Sequence, residues 1–141
     1  MYSFKGKVVW ITGASSGIGE QLCYQFAQAG ASIILSARSY TNLERVQSKL
    51  SGFGPKSRIV LIDLELLNQL PDKVEDALAC FGRIDILVNN AGIGLRDFAL
   101  ATSLMTDKKI MNVKLFWANG FDKRITSPYD RAPIRTSGGD Q

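Results

Sequence analysis

Apolar residues follow two alternating rhythms along the first 113 residues. Short continuous apolar runs, rich in β-branched side chains, alternate with longer stretches where apolar residues recur every three or four positions. The first texture predicts strands buried on both faces, the second helices with one apolar stripe. The runs are residues 7–12 (KVVWIT), 32–36 (SIILS), 58–63 (RIVLID) and 84–88 (IDILV). Between them, Ile18, Leu22, Phe26 and Ala27 predict one helix face, and Leu43, Val46 and Leu50 a second. Val74, Ala77, Leu78 and Phe81 predict a third face over residues 70–81, and a fourth helix is expected to start near Thr106 and carry Ile110 and Met111. Gly30 and Gly82 stand where helices end in a left-handed residue, and Ser39 or Thr41 stands where the second helix begins.

Apolar strands alternating with helices predict an α/β fold: a Rossmann-like parallel sheet with helices on both faces, truncated after about the fourth strand. The texture changes after Val113. Residues 114–141 carry two Pro and three Gly, few aliphatics and no amphipathic period. They are expected to form a divergent, disordered tail.

Composition removes several chemistries. The chain has no His and two Cys. A Ser-His-Asp triad, a Cys-His pair and a closed zinc shell are therefore excluded, and no metal site is expected. Cys23 and Cys80 read as small buried helix residues rather than a disulfide framework. The net charge of +4 is spread without interleaved aromatics, so no nucleic-acid partner is expected. No apolar run reaches the length of a membrane span, about 18 residues. The chain enters a strand pattern directly after MYSFKG, so it reads as cytoplasmic, without a leader.

The chemistry lies in the turns after the strands. Residues 12–19 (TGASSGIG) join the first strand to the first helix. Glycines there permit a tight turn and close approach of the backbone to an anion, and the helix N-terminus offers free N–H groups. The Gly-x3-Gly-x-Gly spacing is neither the general dinucleotide fingerprint nor a P-loop. After the second strand stands Arg38, with no acid beside it in Ser36-Ala37-Arg38. An acid there suits a ribose 2′-hydroxyl, whereas Arg suits a 2′-phosphate. Asp63-Leu64 follows the third strand, and Asn89-Asn90-Ala91-Gly92 follows the fourth.

TGASSGIG, Asp63-Leu64 and NNAG, in this order and on these elements, resemble the short-chain dehydrogenase/reductase family, over residues 5 to about 113. ILSAR and FGRIDILVNNAG most resemble its NADP-dependent retinoid- and steroid-type reductases. The resemblance implies an oxidoreductase that interconverts carbonyl and alcohol groups on a small molecule with NADP(H). Residues 1–113 would be the N-terminal half of the NADP-binding domain. Gly13, Ser15, Ser16, Gly17, Ile18 and Gly19 would cradle the pyrophosphate and its ribose. Arg38 would hold the 2′-phosphate, and Asp63 with the Leu64 backbone would meet the adenine. Asn90, Ala91 and Gly92 would line the cofactor, with Asn89 bracing the central strand instead. Asn112 in IMNV would be the catalytic Asn that holds a water in the proton relay.

The family's other catalytic groups, a Ser and a Tyr with Lys four residues on, have no match. Four residues beyond Tyr2, Tyr24, Tyr40 and Tyr129 stand Gly6, Gln28, Glu44 and Pro133. The chain is therefore expected to be inactive alone. A non-catalytic nucleotide-binding or regulatory fragment, or a non-functional product, is the alternative. The family's dimer helices are missing as well. The fourth strand, central in the family, is expected here to be an exposed edge that is apolar on both faces, an aggregation hazard.

Overall fold

In the computed structural model, residues 3–107 and 114–117 are described. Five strands, β1 (Val8–Thr12), β2 (Ser32–Ser36), β3 (Ser57–Ile59), β4 (Ile86–Asn89) and β5 (Lys114–Trp117), form one sheet in the order β3-β2-β1-β4-β5. Every pairing is parallel. The helices are α1 (Gly17–Gln28), α2 (Tyr40–Leu50), α3 (Leu70–Phe81) and α4 (Leu95–Asp107). The α/β parallel architecture is therefore the one the strand and helix rhythms predicted.

Strand alternation sends neighbouring residues to opposite faces of the sheet. Val8, Trp10, Ile34 and Leu87 pack with Val74 and Leu78 of α3 and Met105 of α4. Val9, Ile11, Ile33 and Val88 pack instead with Cys23 and Ala27 of α1 and Leu43 and Val46 of α2. Burial on both faces explains why β1 is apolar along almost its whole length, with all five residues buried.

Helix ends follow local chemistry. The Ser39 hydroxyl accepts from the Asn42 N–H at 3.3 Å, capping α2, so Ser39 rather than Thr41 is the N-cap. Pro71 sits in the first turn of α3, where its missing N–H costs nothing, and left-handed Gly82 closes that helix.

Several expectations need correction. The outer edge of β4 is filled, since β5 pairs with it from Ile86↔Lys114 to Asn89↔Trp117. Residues 114–117 thus belong to the sheet, while 118–141 lie outside the described residues. The fourth helix begins at Leu95, not near Thr106. Among its described side chains Ala101 and Met105, four apart, are the buried apolar ones, and Gly92 and Gly94 disguise its start as loop. Ile110 and Met111 lie outside the described residues. Ile18 is 55% exposed, and the inward stripe of α1 is Gly19, Cys23 and Ala27. Cys80 is only partly buried. Strand β3 is shorter than predicted, although the Val60 and Ile62 N–H groups still bond to Leu35 and Ala37 carbonyls.

Candidate functional site

The chain runs outward from β1 through β2 to β3, then crosses to the other side of β1 to lay down β4. The loops leaving β1 and β4 therefore separate at the carboxyl ends of these strands. This switch point is where open parallel sheets form a crevice. A cleft of about 450 Å³ lies there, lined among others by Gly13, Arg38, Asp63 and Ala91, so each of the four strand-end turns contributes.

A buried polar knot holds the two sides of the crevice together. Thr12 Oγ1 lies 3.1 Å from Asn89 Oδ1 and 3.3 Å from the Val88 carbonyl oxygen, and accepts from the Asn90 N–H at 3.1 Å. Asn89 Nδ2 donates to the Ile93 carbonyl oxygen at 3.0 Å, and its Oδ1 accepts from the Ala91 N–H. Asn89 is fully buried and braces the end of β4. Asn90 Nδ2 reaches across to the Gly13 carbonyl oxygen at 3.1 Å, so this side chain also supports the turn.

The glycines of the turn have distinct duties. Gly13 has φ +67°, and a Cβ there would stand 2.9 Å from the Asn90 carbonyl oxygen. A Cβ on Gly19 would overlap the Gly13 carbonyl oxygen, so this glycine lets α1 press against the turn. Gly17 has φ +58° and open space where its Cβ would project. Ser16, the N-cap of α1, makes no side-chain capping bond, in contrast to Ser39 on α2. The first N–H groups of α1 are orphan donors at the positive end of a helix dipole, beside exposed Ile18. Ser15 is half-buried next to them.

Arg38 is exposed at the end of β2 and lines the cleft. Asp63 lines the same cleft while its Oδ1 accepts from the Glu65 N–H at 2.9 Å, so it also serves as a turn residue. Leu64 begins the 3-10 segment that follows. Gly92 has φ +80° beside Ala91. Asn112 lies outside the described residues.

The sequence reading missed one group. Arg45 of α2 bonds both Glu20 of α1 and the Ser15 carbonyl oxygen. These partners stand 25 and 30 residues away, and only the packing of α1 beside α2 brings them together. The Arg45 guanidinium, followed by the Tyr24 hydroxyl, holds the Glu20 carboxyl below its ordinary value.

A nicotinamide dinucleotide fits these residues on structural grounds. The turn leaves room beside Gly17, α1 is uncapped at that point, and a cation and an acid line one cleft at the strand ends. When bound, such a group supplies a hydride-carrying ring.

The family model of the short chain dehydrogenases matches residues 7–118. A dehydrogenase/reductase SDR family protein 7-like from Anopheles gambiae is 45% identical over 116 residues, covering 79% of this chain and 37% of that protein. Among solved structures, a hydroxysteroid dehydrogenase from Escherichia coli superposes with a TM-score of 0.68 at 26% identity, over 75% of this chain and 53% of that one. The L-sorbose reductase of Gluconobacter frateurii, solved with NADPH and L-sorbose, gives a TM-score of 0.60 at 33% identity, over 73% of this chain and 43% of that one. The fold is that of short-chain oxidoreductases. This chain belongs to that family, and it spans well under half the length of the curated relative it matches.

Proposed function

We propose that the chain is the NADP(H)-binding portion of a short-chain dehydrogenase/reductase acting on a small carbonyl or alcohol substrate, with the cytoplasm as its compartment. The observation that carries the cofactor choice is Arg38, which lines the cleft at the end of β2 where an NAD-preferring site would carry an acid. Its guanidinium is suited to grip a 2′-phosphate through charge-assisted bonds. The turn at residues 13–19 would receive the pyrophosphate, and Asp63 the adenine edge. Asn90, Ala91 and Gly92 would border the far side of the cofactor, and Asn112 would hold a proton-relay water. Among the described residues no helix is long and apolar enough to cross a membrane.

A second reading is favoured by one sequence fact, that no Tyr in these 141 residues has a Lys four positions on. The chain then binds the dinucleotide without turning over substrate. Calorimetric titration with NADPH and NADH, paired with a carbonyl panel, separates the readings. NADPH is expected to bind more tightly than NADH, with no turnover. Arg38→Asp should weaken NADPH by about 10- to 100-fold, the worth of a charged hydrogen-bond partner, and leave NADH nearly unchanged. Equal affinities for the two dinucleotides would refute the role of Arg38. Turnover would show that catalysis does not need the missing Tyr-Lys pair.

A further inference from the structure

The Arg45 guanidinium bridges two elements and a loop. Its Nη2 donates to the Ser15 carbonyl oxygen at 2.9 Å and to Glu20 Oε1 at 3.2 Å. Its Nη1 donates to Glu20 Oε2 at 3.1 Å, and the Tyr24 hydroxyl donates to the same oxygen at 2.6 Å. Glu20 is thus saturated from two sides, and the Arg fork is aimed rather than free.

The bond to Ser15 has a geometric consequence. In a planar trans peptide the carbonyl and the following N–H point in opposite directions. Holding the Ser15 carbonyl toward α2 therefore turns the Ser16 N–H away from α2. A flip of this peptide would exchange a donor for an acceptor in the turn that precedes the uncapped α1. An anion there would then face a carbonyl dipole.

We propose that Arg45 is a positioning residue that locks the Ser15–Ser16 peptide in the anion-accepting orientation, with Glu20 and Tyr24 aiming the guanidinium. The ligand half of this proposal rests on the dinucleotide-binding reading above; the lock itself does not.

The test uses the full chain and its Arg45→Met and Arg45→Lys variants, with two measurements. Amide hydrogen exchange across residues 13–19 is followed without nucleotide, and NADPH and NADH are titrated separately. Arg45→Met should speed exchange in the turn by about fivefold or more, a modest effect suited to a half-exposed ion pair. Exchange in β1 and β2 should not change. Both dinucleotides should weaken by the same factor, so their affinity ratio is preserved. Arg45→Lys keeps the charge but cannot span both acceptors, and should fall between wild type and Arg45→Met.

Turn exchange within about twofold of wild type overturns the lock. A selective loss of NADPH overturns it too, because Arg45 would then touch the 2′-phosphate itself. Should wild type bind neither dinucleotide, the functional reading fails and the exchange data alone decide the lock. Should Arg45→Met unfold globally, the Arg45→Lys exchange pattern decides.

Discussion

Asn90 Nδ2 donates to the Gly13 carbonyl oxygen at 3.1 Å, tying the turn after β4 to the turn after β1 across 77 positions of sequence. The contact is possible because neither Gly13 nor Gly19 presents a side chain to it. Without a Cβ on Gly19, the Gly13 carbonyl and Asn90 Nδ2 share one small space.

Gly19→Ala should therefore destabilise the fold by about 1–3 kcal/mol, the usual penalty for overfilling a packed site. Gly52→Ala is the control, since a Cβ there meets nothing within 4 Å. Urea denaturation of both variants checks the expectation. A Gly19→Ala midpoint matching that of Gly52→Ala would show that the turn can open without cost.

The Trp10 indole N–H donates to the Ser36 hydroxyl at 2.7 Å, both side chains being buried. Ser36→Ala removes the acceptor and leaves a buried donor unsatisfied, at a cost of about 1–3 kcal/mol. Thermal unfolding gives the stability, and a shift in the Trp10 emission maximum gives the local change. An unaltered melt would mean that the indole finds another partner.

What the sequence disclosed was periodicity and punctuation. The apolar runs locate β1, β2 and β4 because strands buried on both faces cannot hide their composition, whereas β3, partly buried or exposed, overlaps its predicted run only at residues 58 and 59. The apolar period and Gly82 mark the third helix, whose predicted bounds of 70–81 match Leu70–Phe81. Strand-to-helix punctuation points to the turns at Gly13 and Arg38, the family resemblance adds Asp63 and Ala91, and the sheet gathers all four around one cleft. Long-range pairings were hidden. Ile18 obeyed helical spacing yet points out, because spacing gives a face and only the neighbouring sheet decides which face is inward. Arg45 gave no signal at all, because its partners depend on how α1 lies against α2. The short run Lys114–Trp117 reads as tail because the segment it opens has few aliphatics and no amphipathic period, although β4 offers it an open edge.

Asp85 closes the start of β1. Its Oδ2 accepts from the Val8 N–H at 2.8 Å, its own N–H donates to the Val8 carbonyl, and Arg83 pairs with Oδ1. Asp85→Ala strips the buried Val8 N–H of its acceptor and is expected to cost about 1–3 kcal/mol. Asp85→Asn can still accept from Val8 and loses mainly the exposed pair with Arg83, which contributes less than about 1 kcal/mol. Denaturant midpoints should thus order wild type, Asp85→Asn and Asp85→Ala from high to low. Equal losses for the two variants would assign the effect to the ion pair instead.

The two cysteines should separate sharply by reactivity. Cys23 is fully buried in α1, and burial pushes its thiol from 9.0 up to about 12. Cys80 is half-buried on α3, and its thiol donates to the Asp76 carbonyl oxygen at 3.3 Å. Iodoacetamide near pH 8 should modify Cys80 slowly and Cys23 not at all until the chain is denatured, since the thiolate is the reacting form. Peptide mass spectrometry distinguishes the two sites. The same shift fixes the direction of alkaline destabilisation. Between 9.0 and about 12 the folded chain keeps the Cys23 proton that the unfolded chain has lost. Stability must then fall as pH rises through that window. Tyr24 acts in the same direction, raised from 10.0 to about 12 by burial and by its bond to Glu20. Cys23→Ala should flatten the decline of the melting temperature between pH 9 and 10, the part of the window below the ordinary Tyr value. An unchanged slope in that variant would place the alkaline sensitivity elsewhere in the chain.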